Sequence, residues 1–239
     1  MNANIIERRA TLFVARQMQI TGDNIPAFIK SFSKLSLFPS VNKGIGIKLT
    51  PKGIEQEEVI SLDMKYLDET LKVSIGPDRV DIVSKRKDET WDSFREIVMQ
   101  ISSAVVTDFN NTIVRYAQCA TIRIKLDQQL ADNAYAKLFR DAEGVPVEWQ
   151  FRKVTRGQIQ APDEQSSVIV NNVYNLTRNN AIIDGRNISN IIMLDMDVNT
   201  LINSDMNQLI RIQEQFWIES AHTIEEAVTY YYSILSNED

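Results

Sequence analysis

The chain has 239 residues, 44% of them hydrophobic and 24% charged, with a net charge of −6 and a pI near 5.0. These values fit a globular protein with a sizeable core, and the acidic balance lacks the basic footprint of a general nucleic-acid binder. One cysteine, Cys119, rules out an intrachain disulfide, and one histidine, His222, rules out a multi-histidine metal site.

The N-terminus, MNANIIERR, carries charges early and has no apolar stretch, so it does not read as a signal peptide. No run reaches the roughly 18 apolar residues of a membrane span, and a cytoplasmic location is expected. Residues 11–20, TLFVARQMQI, are rich in β-formers and predict a strand. Gly22-Asp23-Asn24 breaks it. Pro26 then suits the first turn of a short helix, where Ile25, Phe28, Ile29, Phe32 and Leu35 share one face. Strands follow at 45–49, 59–66, 71–75 and 80–83. The last two alternate apolar and polar residues around a Gly76-Pro77-Asp78-Arg79 turn. A longer helix is expected over 88–109, capped by Asp88, with an apolar stripe from Trp91 to Phe109 and a stop at Asn110-Asn111.

A strong β run at 113–126 opens the second half. Cys119 sits within it among apolar residues, as a small buried hydrophobe rather than a nucleophile. A helix follows with Ala131, Tyr135, Leu138, Phe139 and Ala142, stopped by Gly144. Strands are expected at 147–154, 167–176 and 190–198, with polar loops at 157–165 and 177–187 where binding could occur. The terminal helix begins near Ser204, with a stripe from Met206 to Leu235. Thr223-Ile224-Glu225-Glu226 matches a capping box, so a kink is expected near His222. The last residues, 236–239, are expected to fray.

The order strand, short helix, strands, long helix therefore occurs twice. It predicts an α+β fold made of a duplicated unit, residues 1–110 and 111–239, packed as one pseudo-symmetric body with antiparallel sheets and the long helices on one face. In element order this resembles the saddle of TATA-binding-protein-like folds. That resemblance implies a fold and no function.

Asp195 and Asp197 lie two apart on a strand, so both carboxylates face one way and could hold Mg²⁺. Leu62-Asp63-Met64 repeats the local string Leu194-Asp195-Met196, but out of register with the duplication. Arg115, Arg123 and Lys125 share one strand face, and Arg152, Arg156, Arg178 and Arg186 occur later. Their first reading is solvated surface, and Arg115, Arg123 and Arg152 could alternatively read an anionic ligand. His222 pairs with Glu219 or Glu226 on a helix surface. Tyr230, Tyr231 and Tyr232 must show rings on more than one face of the helix, so they and Trp217 are candidate interface residues. No phosphate loop, nucleophile elbow, dinucleotide fingerprint or His/Cys metal spacing is present, and no cofactor is implied.

The run 191–198, IIMLDMDV, followed by a helix with His222 and an aromatic cluster, resembles a sporadically distributed prokaryotic family of similar length with no assigned activity. Arg115-Tyr116 and Ile122-Arg123-Ile124 resemble it too. The resemblance implies a cytoplasmic accessory protein of the kind found near mobile elements or defence loci, and carries over no catalytic residue. The leading expectation is a non-enzymatic interaction or regulatory protein that forms a homo-oligomer or binds a protein partner. The alternatives are a small-molecule or nucleotide sensor, and a metal-dependent hydrolase using Asp195 and Asp197.

Overall fold

A computed structural model describes residues 3–32, 35–51, 53–139, 144, 146–162, 166–183, 186–202 and 204–236. The elements are β1 (Ala3–Val14), α1 (Ile25–Ser31), β2 (Phe38–Thr50), β3 (Gly53–Lys65), β4 (Leu71–Ile75), β5 (Arg79–Ser84) and α2 (Trp91–Thr107). Then come β6 (Ile113–Lys125), α3 (Gln128–Leu138), β7 (Trp149–Gln160), β8 (Ser167–Ile183), β9 (Arg186–Thr200) and α4 (Met206–Ser236). The strands form one antiparallel sheet in the order β2-β3-β4-β5-β1-β6-β9-β8-β7.

This corrects the expected duplication. Four strands follow α1 but three follow α3, and α2 has 17 residues against 31 in α4. A single sheet dominates the fold, and the saddle comparison is withdrawn with the repeat that suggested it. The two programmes looked alike because local alternation was used to set strand length. Pairing partners set it instead, and they extend some strands far beyond their alternating cores. The polar stretch expected as a loop over 157–165 is strand as far as Gln160, and the one over 177–187 is mostly the continuation of β8 and the start of β9. Residues 163–165 and 184–185 lie outside the described residues, as do Ala142 and residues 237–239.

The chain divides into two compact units, and the boundaries fall within β1 and β6. The smaller unit is Arg9–Tyr116. Its core takes Leu12 from β1, Leu62 and Met64 from β3, Leu71, Val73 and Ile75 from β4, and Val80 and Ile82 from β5. Strands β4 and β5 alternate buried and half-buried positions, as a sheet covered on one face requires. The β4–β5 turn closes as the sequence predicts, with the Gly76 N–H donating to the Arg79 carbonyl at 2.9 Å. Helix α2 buries Phe94, Val98, Ile101 and Val105. Its cap is Thr90, whose hydroxyl oxygen accepts from the Ser93 N–H at 3.1 Å, and not the expected Asp88. Asn110 follows the helix with φ of 45°, a conformation asparagine tolerates better than most residues. Phe109 stacks on Phe28 of α1, with ring centroids 4.2 Å apart.

The larger unit joins Met1–Arg8 to Ala117–Asp239. Ala120, Ile122 and Ile124 of β6, Leu176 of β8 and Ile192, Leu194, Met196 and Val198 of β9 form its buried sheet face. Helix α4 packs against β7, β8 and β9. It buries Leu209, Ile212, Phe216, Trp217, Ile224, Tyr231 and Leu235. It runs unbroken past His222, so no kink forms there. The continuing apolar stripe gains more from packing than a restarted helix would gain from a cap. Inside this core the Ser220 hydroxyl donates to Oε1 of Gln118 at 2.8 Å, which ties α4 to β6. Helix α3 starts on Asp127, whose carboxylate accepts from the Leu130 N–H at 2.8 Å, and it ends at Leu138 well before Gly144.

Candidate functional site

Arg123, Arg152, Asp195 and Asp197 fall on the sheet face opposite α4. Strand register places Arg152 beside Asn175, Asn175 beside Asp195 and Asp195 beside Thr121, a polar row across β7, β8, β9 and β6. The Thr121 hydroxyl donates to Asp195 at 2.7 Å. In the next row Val154, Val173, Asp197 and Cys119 stand side by side. Asp197 Oδ1 is buried and accepts no hydrogen bond within the described residues. Cys119 is half-buried on this face, not in the apolar core expected of it. Asp195 and Asp197 do share a face, but among the described residues no group of three His, Cys, Asp or Glu gathers to complete a metal shell.

Arg123 and Arg152 do not converge on one anionic group. Arg123 pairs with Met193, Met193 with Thr177 and Thr177 with Gln150, so Arg123 and Arg152 lie on strands three spacings apart, about 14 Å. Arg115 belongs to the smaller unit, where its guanidinium lies 4.7 Å from the centre of the Phe13 ring. Arg178, expected as a solvated charge, is instead 1% exposed. It donates to Asp132 at 2.9 Å, to Asn190 at 2.7 Å and to the Pro146 carbonyl at 3.4 Å. The side chain of Arg186 lies outside the described residues.

The candidate interface residues divide in the same way. Trp217 is 2% exposed and Tyr231 3%, both packed within their own unit, so neither presents an exposed ring to a protein partner. Tyr230 is exposed and Tyr232 is half-buried. Their helical spacing places them on different faces of α4, and only one face is needed for the core. His222 lies on the surface with Nε2 3.0 Å from Glu226.

Two features went unread in the sequence. One is a cleft of about 320 Å³ beside α4, lined by Lys153 and Thr155 of β7, Tyr174 of β8, and Thr223, Glu226, Ala227, Tyr230 and Tyr231 of α4. The Tyr174 and Tyr231 ring centroids are 5.7 Å apart, and those of Tyr230 and Tyr231 are 5.1 Å apart. Burial, with Tyr174 and Tyr230 nearby, pushes the Tyr231 hydroxyl up to about 12, so it stays neutral and keeps its proton.

The other feature is the β2–β3 hairpin of the smaller unit. Its strands pair along their whole length, from Phe38 opposite Lys65 to Thr50 opposite Gly53. Strand β4 supports only Leu62–Lys65 of β3, so the rest projects as a two-stranded arm. Ile45, Ile47, Leu49 and, across the ladder, Ile54 share one face of the arm at 71–81% exposure. At the base of the arm Asp63 lies on the opposite face. Burial raises the carboxyl there, but the Lys72 ammonium and donors from Ser74 and Asn42 outweigh it, and the net shift is below the usual carboxylate range.

Among the described residues no helix is long and apolar enough to cross a membrane. No protein-family model matches the chain, and no curated protein matches it.

Proposed function

We propose that the protein acts through protein contacts, and that the β2–β3 arm is its contact element. The observation that carries this reading is the apolar stripe of Ile45, Ile47, Leu49 and Ile54, held out on a paired ladder. Exposed apolar side chains are ordinary when scattered, but a contiguous stripe on a projecting element is the usual mark of an interaction surface. The arm also carries an edge. Strand β2 ends the sheet order, so among the described residues no further strand pairs with its outer edge. An incoming strand could bond to that edge while its alternate side chains meet the stripe.

The simplest such strand is β2 of a second copy. An antiparallel pairing of two identical edges is self-complementary about a two-fold axis, as in most symmetric dimers. Ile47→Glu with Leu49→Glu places charge in the stripe without touching the core. Light scattering over a range of concentrations should give the native chain a mass near twice 27.3 kDa and the double variant the monomer mass. A native chain that stays at 27.3 kDa throughout would overturn pairing between copies.

A further inference from the structure

The cleft beside α4 takes a different kind of occupant from the arm. Its two walls carry opposite charges. Lys153 projects from β7 and is exposed, and among the described residues it makes no ion pair. Glu226 projects from α4, with its side chain 68% exposed and, among the described residues, its carboxylate shared with His222 alone. Between these charges stand three phenol rings that are not parallel. The Tyr174 and Tyr231 planes meet at 52°, and those of Tyr230 and Tyr231 at 75°. Register sets Tyr174 directly beside Lys153 on the next strand.

Tilted aromatic faces around one space attract an alkylammonium group through their ring quadrupoles, and a nearby carboxylate adds to the attraction. A cation alone would also meet Lys153, and an anion alone would meet Glu226. A ligand bearing both charges satisfies both walls. The volume of about 320 Å³ is at the small end of known ligand sites and suits a compact occupant. Thr155 and Thr223 add polar groups to the lining.

We infer that this cleft binds a small zwitterion, with its alkylammonium among Tyr174, Tyr230, Tyr231 and Glu226 and its anionic group toward Lys153 and Thr155. Glycine betaine is a suitable probe, because it joins a trimethylammonium to a carboxylate. Tetramethylammonium and acetate supply the two halves separately. Ligand-observed NMR titration of the full chain should show saturable betaine binding, with each half weaker by about tenfold or more. Glu226→Gln, Lys153→Met and Tyr230→Ala should each weaken betaine by a similar factor. Glu226 and Lys153 are exposed, so those two variants should keep the native thermal midpoint. Equal affinity for tetramethylammonium and betaine would overturn the zwitterion assignment. Absence of betaine binding, or binding unchanged in all three variants, would overturn the site.

Discussion

Arg178 is a charge the chain has enclosed, with acceptors for both terminal nitrogens of its guanidinium but none for Nε among the described residues. Its side chain is 2% exposed, whereas that of its partner Asp132 is 34% exposed. The difference decides which half of the pair is harder to lose. When Arg178 is removed, Asp132 can turn to water. When Asp132 is removed, a guanidinium is left in the interior with, among the described residues, Asn190 and the Pro146 carbonyl to satisfy it. A buried charge stripped of its counter-ion is among the most destabilising changes known, whereas a pair replaced by apolar groups can be nearly neutral. Asp132→Ala should therefore destabilise by about 3 kcal/mol, and Arg178→Met by clearly less. Urea unfolding of the two variants would read the order, and equal losses would mean that the geometry of Arg178 and not its charge matters. The residue is also a lesson in what a string of letters conceals. Arg178 follows a polar Thr177 and precedes Asn179-Asn180, a setting that signals exposure. It is interior because α3 brings Asp132 to it from 46 positions away.

At the scale of elements, strands were easy to recognise and hard to measure. The β4–β5 hairpin was legible because Leu71, Val73 and Ile75 alternate with polar residues and Gly76-Pro77 marks the turn. The β2–β3 arm was only partly legible. Ile45 to Leu49 announced a strand, but nothing local told that its ladder would run on to Phe38 and Thr50 or that no third strand would cover it. A two-stranded ladder without a packed face is marginal in water. Backbone amides of residues 44–50, which are paired only within the arm, should exchange with deuterium much faster than those of β4 and β5. Hydrogen-exchange mass spectrometry would show it. Protection equal to that of β4 in the isolated chain would mean that the arm is already covered. Helix α4 misled in the opposite direction, because the capping pattern at Thr223–Glu226 was present but a helix already under way had no orphan N–H groups there for it to satisfy. The candidate site was legible in its parts, such as the face shared by Asp195 and Asp197. The cleft was not, since Lys153, Tyr174 and Glu226 meet only through the pairing of β7 with β8 and the packing of α4 on both.

At the scale of the molecule, the larger unit is assembled from both ends of the chain, with residues up to Arg8 joined to Ala117 and beyond. The tryptophans are distributed helpfully. Trp91 lies in the smaller unit, and Trp149 and Trp217 lie buried in the larger one. In a chain carrying Trp91→Phe, fluorescence reports the larger unit alone. Deleting residues 3–8 should lower its urea midpoint while amide protection in β4 and β5 is kept. Loss of protection there at the same urea concentration would show that the two units unfold as one.

The divided unit also has a history. A ribosome releases the chain at about 5–20 residues per second, and domains tend to fold as they emerge. The segment Arg9–Tyr116 is complete when barely half of the sequence has been made. The strand piece before it must wait about six to twenty-five seconds for β6 to α4 to be synthesised. During that interval Ile5 and Ile6 are apolar residues on an unpaired strand, the condition that invites wrong partners. Glu7, Arg8 and Arg9 directly follow them, and such flanking charges hold a waiting strand in solution.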